Sequence, residues 1–182
     1  MRGGESRRLE RFSTPHDVRA FEVSSDQKLA FVWHNAERPL LRLSIYDLLR
    51  ETRLVEFSPG FGGELHFTPH DNIVHTWGCG SNCASFRVYD LYGRQIVNGG
   101  TSGLEVSPDR ASLLTFPSFM GAGEPLVLYD LATGKQAGEW RAPGNGLFVL
   151  DSIAWKSGGV VEIEVTTSTG RVRRISLHRS PA

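Results

Sequence analysis

Short runs of alternating apolar and polar residues follow one another along the chain, separated by polar and glycine-containing turns. In the first group of runs the pattern predicts strands at 18–23, 29–34, 40–46 and 53–57. Alternation with a period of two is typical of a half-buried strand, and no stretch of helical length carries an i, i+3, i+4, i+7 apolar pattern. The pattern therefore predicts an all-β fold built from groups of four short strands.

The group of four strands recurs along the chain. Each copy begins with an apolar strand and a turn, and a Tyr-Asp-Leu sequence comes late in three of the copies, at 46–48, 89–91 and 129–131. The tyrosines of these sequences are 43 and 40 residues apart, and a weaker fourth copy runs from 153–156 to 175–177. A period of about 40 to 45 residues, with four strands in each unit, is typical of the blades of a β-propeller.

The fourth group lacks its last strand, and the segment at 8–13, Arg-Leu-Glu-Arg-Phe-Ser, matches Arg-Leu-Val-Glu-Phe-Ser at 53–58. A strand at 6–13 that pairs with the third strand of the last group would remove two exposed sheet edges. We therefore predict a four-bladed β-propeller in a single domain over 1–182, with its ring closed by the N-terminal strand pairing with the last blade. The predicted blades span about 17–58, 62–99, 102–141 and 146–178, the last completed by 6–13. Two alternatives stay open: half of a larger ring made by two copies, and an eight-stranded sandwich.

The turn Ser-Pro-Asp-Arg at 107–110, followed by Leu-Tyr-Asp-Leu-Ala-Thr-Gly-Lys at 128–135, resembles WD-repeat and related bacterial propeller repeats. In this chain the late dipeptide is Tyr-Asp rather than Trp-Asp. The resemblance covers most of the chain, and what it implies is a fold rather than an activity.

The composition changes this picture little. Among 182 residues there are 20 Lys and Arg and 20 Asp and Glu, so there is no net field to attract nucleic acid. Aromatic and basic residues are not interleaved as a single-strand nucleic-acid platform requires. No apolar window reaches the length of a membrane span, and the charged N-terminus lacks the apolar core of a signal peptide. We therefore predict a cytoplasmic protein, with a periplasmic or secreted location as the alternative if a signal was removed.

The first strand of each predicted blade would line the central channel. The position between its two apolar anchors is occupied by Glu22, His66, Glu105 and Ala154. Two carboxylates and an imidazole converging there could bind a cation or alter one another's protonation. The alternative is that these side chains face solvent, or pair with Arg19 and Arg87.

The loops between the second and third strands differ most from blade to blade. They carry large side chains that could form a protein-binding rim, because aromatic residues dominate binding hot spots. The rim candidates are Trp33, His34, Trp77, Phe119 and Met120. For Trp33 and Trp77, packing between blades is the alternative.

Closure of the ring would bring two arginine-rich segments together. The candidates for a basic patch are Arg8, Arg11, Arg173 and Arg174. Such a patch could bind phosphate, an acidic peptide or anionic lipid, whereas a solvated edge that discourages aggregation is the favoured interpretation.

The chain contains two cysteines, Cys79 and Cys83. Free thiols are favoured for a cytoplasmic protein, a small disulfide is the expectation for an exported one, and a metal site would still need a fourth ligand.

The sequence contains no nucleophile elbow, phosphate-binding loop, zinc-protease helix or dinucleotide fingerprint. We therefore predict a non-enzymatic module that binds another protein or peptide through one face of the propeller, as an adaptor, assembly factor or inhibitor. No cofactor or metal is predicted, and a monomer is favoured. The alternatives are a small-ligand, metal-binding or hydrolytic site in the channel, and a structural domain of a larger assembly.

Overall fold

A computed structural model describes residues 18–35, 41–60, 63–81, 83–117, 124–143 and 147–179. These residues form fifteen strands arranged in four antiparallel sheets, which confirms the prediction of an all-β fold. The chain divides into two compact units, residues 1–61 and residues 62–182.

The first unit contains one sheet, sheet 1, with its strands in the order β1-β2-β3-β4. The strands are β1 Val18–Val23, β2 Leu29–Asn35, β3 Leu41–Asp47 and β4 Thr52–Phe57. They confirm the four runs predicted from the alternation to within one residue at each end. The predicted strand at 6–13 lies outside the described residues.

The second unit contains three sheets, each a meander of consecutive strands. Sheet 2 is formed by β5 Glu64–Phe67, β6 Ile73–Gly80, β7 Cys83–Tyr89 and β8 Gln95–Thr101. Sheet 3 is formed by β9 Gly103–Val106, β10 Ser112–Phe116, β11 Leu126–Asp130 and β12 Gln136–Trp140. Sheet 4 is formed by β13 Phe148–Lys156, β14 Val160–Thr167 and β15 Val172–His178.

Sheets 2, 3 and 4 pack face to face through apolar side chains from alternate strand positions. Between sheets 2 and 3 the fully buried side chains include Val74, Val88 and Leu113. Between sheets 3 and 4 a larger cluster forms around Leu114, Leu128, Val161 and Ile163. Leu113 and Leu114 are adjacent on β10 and face opposite sides, so sheet 3 is apolar on both faces.

The aspartate of each Tyr-Asp-Leu sequence caps the turn between the third and fourth strands of its sheet. One carboxylate oxygen accepts two backbone N–H hydrogen bonds at 2.8–2.9 Å: Asp47 from Leu49 and Arg50, Asp90 from Tyr92 and Arg94, and Asp130 from Ala132 and Thr133. Aspartate is favoured in such turns because its short side chain reaches nearby backbone N–H groups. The repeated dipeptide therefore has a local cause.

The turn between the first and second strands is also repeated. In sheet 3 the Ser107 hydroxyl donates to Asp109 at 2.6 Å, and the N–H of Ser112 donates back to the Ser107 hydroxyl at 2.9 Å. Arg110, in this turn, has a φ of 56°, in the left-handed region. The equivalent bonds in sheet 1 join Ser24 to Asp26 at 2.8 Å and Leu29 to Ser24 at 3.0 Å.

Candidate functional site

Two of the predicted rim residues are buried in sheet 1. Trp33 is 5% exposed and His34 is 2% exposed, so neither ring offers surface to a partner. Trp33 lies opposite Leu43, which is fully buried, in the register of β2 and β3. The interpretation of Trp33 and His34 as rim residues is therefore wrong, because both side chains are buried, whereas the alternative of packing between blades for Trp33 stays a prediction.

His34 belongs to a buried polar chain rather than to a catalytic site. Its Nε2 lies 3.0 Å from the Ser44 hydroxyl, which donates to Glu56 Oε2 at 3.2 Å, and Arg53 donates to the same carboxylate at 2.6 Å. A serine hydrolase needs an exposed serine and an acid that orients the far nitrogen of the imidazole. Here Ser44 is fully buried, and Glu56 lies 3.9 Å from the imidazole nitrogen that already contacts Ser44. The arrangement holds β2, β3 and β4 together.

Trp77 lies near the tip of the β6–β7 hairpin and is half-buried. Its ring stacks on His75, with the ring centroids 4.7 Å apart, and the guanidinium carbon of Arg87 lies 5.1 Å from the Trp77 centroid. The strand register places Arg87 directly opposite His75 and Ser85 directly opposite Trp77. These side chains therefore share one face of sheet 2, and His75 and Arg87 fix the orientation of the indole.

The hairpin continues past the end of β5. In the described residues, β5 pairs with β6 only as far as Thr76, whereas β6 continues to Gly80 alongside β7. From Gly78 to Ser81 the tip is exposed. Trp77 thus stands where the sheet gives way to an exposed tip.

A disulfide joins Cys79 and Cys83 across this tip, with their Cα atoms 5.0 Å apart. The prediction of free thiols is therefore wrong, because the hairpin turn brings the two cysteines together on adjacent strands. Gly80 pairs with Cys83 in the ladder, and the Cys79 sulfur lies 3.4 Å from the Ser85 hydroxyl. Phe119 and Met120, the other two rim candidates, lie outside the described residues.

His66 and Glu105, two of the channel candidates, line one open cleft of about 360 Å³ in the second unit, between β5 and β9. Glu64 and Arg110 line the same cleft, and His66 Nε2 lies 3.9 Å from a Glu64 carboxylate oxygen. Glu22, the third candidate, lies on β1 in the first unit and is half-buried.

The carboxylate of Glu105 is held by a residue that the sequence pattern does not mark. The indole N–H of Trp155, on β13, donates to Glu105 Oε1 at 2.6 Å, across the boundary between sheets 3 and 4. No local pattern in the sequence marks this pair, because the two residues are fifty positions apart and meet only when the sheets pack.

The arginines of the predicted basic patch do not form one surface in β15. Arg173 and Arg174 are adjacent on this strand, so their side chains point to opposite faces, and both are exposed. Arg174 donates to Glu164 at 3.0 Å. Arg8 and Arg11 lie outside the described residues.

Hydrogen bonds within the turns lower the pKa of two aspartates. The pKa of Asp26 is lowered to about 2, chiefly by the hydrogen bond from the Lys28 side chain and then by those from the Lys28 N–H and Ser24. For Asp109, burial raises the pKa, but hydrogen bonds from Ser107 and Ala111 and the charge of Arg179 outweigh it and leave the pKa below its usual value. Both carboxylates stay ionised in the folded turn.

Among the described residues, no three side chains of the kinds that bind metals lie close enough to hold one ion together. Within those same ranges there is also no helix with the length and apolar character needed to cross a bilayer.

Several solved structures resemble this chain at low identity. The β-propeller domain of the trilobed protease from Pyrococcus furiosus aligns over 88% of this chain and 57% of its own, with a TM-score of 0.47 and 13% identity. The complex of KlAtg21 with the coiled-coil of AgAtg16 aligns over 88% of this chain and 53% of its own, with a TM-score of 0.45 and 12% identity. The C-terminal WD40 domain of Sif2 aligns over 90% of this chain and 44% of its own, with a TM-score of 0.44 and 10% identity. The chain thus spans about half the length of these proteins. No family model matches the chain, and no curated protein sequence does.

Proposed function

We propose that this chain is a non-enzymatic module that binds another protein or peptide, and that the β6–β7 hairpin forms part of its binding face. The observation that supports the proposal is the half-buried Trp77, held between its neighbours His75 and Arg87 beside a disulfide-linked tip. Hot spots of protein interfaces are enriched in tryptophan and arginine. A ring that is already oriented loses little side-chain entropy when a partner packs against it.

The architecture that goes with this function is a four-bladed propeller in which sheets 1 to 4 are the blades and residues 6–13 close the ring on β15. The strand order and the capped turns repeat in sheets 1, 2 and 3. Sheet 4 has three strands among the described residues, and its third strand carries Ile-Ser-Leu at 175–177, without the turn-capping aspartate. A fourth strand supplied from elsewhere in the chain needs no such turn.

The test is native mass spectrometry of the protein isolated gently from its own host, followed by titration of the partner it identifies. Replacement of Trp77 by alanine should weaken binding by at least about 30-fold, the effect of losing a hot-spot side chain worth about 2 kcal/mol or more. The matched control is Tyr92→Ala, because Tyr92 is 81% exposed and lies in the β7–β8 turn, at the opposite end of the same sheet.

Binding that tolerates Trp77→Ala and Arg87→Ala as well as it tolerates Tyr92→Ala would exclude the hairpin as the binding face. A bare mass near 20.1 kDa under all isolation conditions would count against a stable protein partner altogether.

A second candidate function is a small-ligand site in the cleft lined by Glu64, His66, Glu105 and Arg110. The observation that favours it is the approach of His66 to Glu64, at 3.9 Å, inside an open cleft of about 360 Å³. A small ligand bound there should raise the melting temperature of the wild type and not that of His66→Ala. An equal shift in both proteins would exclude this site.

A further inference from the structure

The two sulfurs of the Cys79–Cys83 disulfide differ in their surroundings. Cys79 lies in the exposed tip, whereas Cys83 is half-buried. Exposed disulfides tend to have more oxidising potentials than buried structural ones, and they are the ones that exchange with thiols. The Ser85 hydroxyl, 3.4 Å from the Cys79 sulfur, is a hydrogen-bond donor toward that sulfur, because a disulfide sulfur carries no hydrogen.

Among its described residues, the segment spanned by the disulfide is held by the ladder pair of Gly80 with Cys83. Gly78 and Gly80 flank Cys79, and a Cβ added at Gly80 would meet no atom within 4 Å. Glycine loses more conformational entropy on ordering than other residues do. The ladder is irregular between Gly78 and Gly80, so the covalent bond is a principal constraint on this tip.

We propose that Cys79–Cys83 is a site of reversible thiol–disulfide exchange with a dithiol, and that its oxidation state sets the order of the hairpin tip beside Trp77. A thiolate of the dithiol attacks the exposed sulfur of Cys79 and releases Cys83 as a thiolate. The second thiolate of the dithiol then attacks the dithiol sulfur that is bonded to Cys79 in the mixed disulfide, and releases Cys79 as a thiolate. The protein gains two electrons and two protons, and the dithiol becomes a cyclic disulfide.

The geometry favours release of Cys79 in the second step. The Ser85 hydroxyl can donate to the thiolate that forms at Cys79, which makes this sulfur a better leaving group. The two thiols of the reduced protein no longer close the five-residue loop. The loop-entropy relation then predicts that the open tip gains roughly 30-fold in population relative to the closed tip.

The consequence for binding rests on the proposed interaction function, whereas the exchange itself does not. If the tip forms part of the binding face, the oxidised protein presents an ordered surface and the reduced protein loses more conformational entropy on binding. The exchange is therefore tested without a partner, so that its failure and the failure of the proposed function are distinguishable.

The experiment incubates the native, air-oxidised chain with dithiothreitol over a range of concentrations and counts free thiols by alkylation and mass spectrometry. Hydrogen exchange of the amides at 78–84 is measured on the same samples. The expected result is release of both thiols without denaturant, with amide exchange at the tip accelerated by roughly 30-fold and the amides of β10 unchanged. The Cys79→Ser/Cys83→Ser double variant is the control: it should exchange at the reduced rate and ignore dithiothreitol.

Three outcomes would overturn the proposal. The first is a native chain that carries free thiols and does not form the disulfide under an oxidised dithiol buffer. The second is a disulfide that yields thiols only after unfolding. The third is reduction that leaves exchange at 78–84 unchanged.

Discussion

The hydrogen bond between Trp155 and Glu105 is expected to contribute measurably to the packing of sheet 4 on sheet 3. The donor–acceptor distance is 2.6 Å, both side chains are half-buried, and Trp155 also packs against the apolar cluster between these sheets. Hydrogen bonds to charged groups contribute about 1.5–3 kcal/mol, and partial exposure places this one toward the lower end. We therefore expect Trp155→Phe, which keeps an aromatic ring and removes the donor, to lower stability by about 1.5 kcal/mol or more.

A double-mutant cycle separates the hydrogen bond from the loss of indole packing. Trp155→Phe is compared in the wild type and in Glu105→Ala, and the expected coupling energy is about 1–2 kcal/mol. Glu105→Gln is the conservative variant: its amide oxygen can still accept from the indole, so it should lose less than Glu105→Ala. For a chain of this length, about 1.5 kcal/mol corresponds to a fall of roughly 3–6 °C in Tm.

Urea unfolding followed by far-ultraviolet circular dichroism is the suitable assay, since tryptophan fluorescence would change with the mutation itself. The cycle needs a single cooperative transition, so coincident unfolding by a second probe is part of the measurement. Additive effects of Trp155→Phe and Glu105→Ala, with no coupling above about 0.3 kcal/mol, would refute the inference that this bond joins the sheets.

Three further predictions concern the turns of the second unit. In urea unfolding, Gly134→Ala should lower the free energy of unfolding by at least about 1 kcal/mol more than Gly158→Ala does. Both glycines have a positive φ, but only at Gly134 would a Cβ lie 2.7 Å from Ile96. Equal losses of stability would contradict this. Asn72→Ala should lower the free energy of unfolding by about 2 kcal/mol, because the Asn72 amide donates to the carbonyls of residues 131 and 132 at 3.0 and 2.9 Å. A change below about 0.5 kcal/mol would show that these hydrogen bonds contribute little to stability. The pKa of Asp109 is lowered in the folded protein, so its ionised carboxylate contributes stability above the unfolded pKa of about 3.9, and this stability is lost as the pH falls through the folded value. The Tm of Asp109→Asn should therefore fall less steeply below about pH 4 than the Tm of the wild type. Parallel curves of Tm against pH would contradict this.

Local patterns were sufficient to predict the strands and turns, because their causes lie within a few residues. The four strands of sheet 1 follow from the alternation, and the Tyr-Asp-Leu sequences mark turns because their aspartates bond to backbone two to four residues away. Burial depends instead on which strand lies opposite. The sequence predicts both Trp33 and Trp77 as rim residues, yet Trp33 lies opposite Leu43 and is buried, whereas Trp77 lies opposite Ser85 and stays half-exposed.

Contacts between residues far apart in the sequence could not be predicted from local patterns. The Glu105–Trp155 bond joins residues from two sheets, and the cleft at His66 and Glu105 exists only because β5 and β9 pack near each other. The disulfide is an intermediate case. Cys79 and Cys83 are close in sequence, but spacing alone did not decide whether a hairpin turn would bring their sulfurs together.

The residues that repeat and the residues that could bind a partner are different sets, and this follows from how each is used. The serine and aspartate of the repeated turns direct their oxygens to backbone N–H groups of the same turn, so their hydrogen-bonding capacity is used inside the fold. Cys79 and Cys83 have no counterpart in the other copies of the repeat, and among the described residues the hairpin that carries them continues beyond the strand beside it. A scaffold made of repeated turns needs neither cysteine for its own geometry. If the hairpin forms the binding face, as proposed, its tip is the part of the described chain where a change of sequence alters binding without changing the repeated turns.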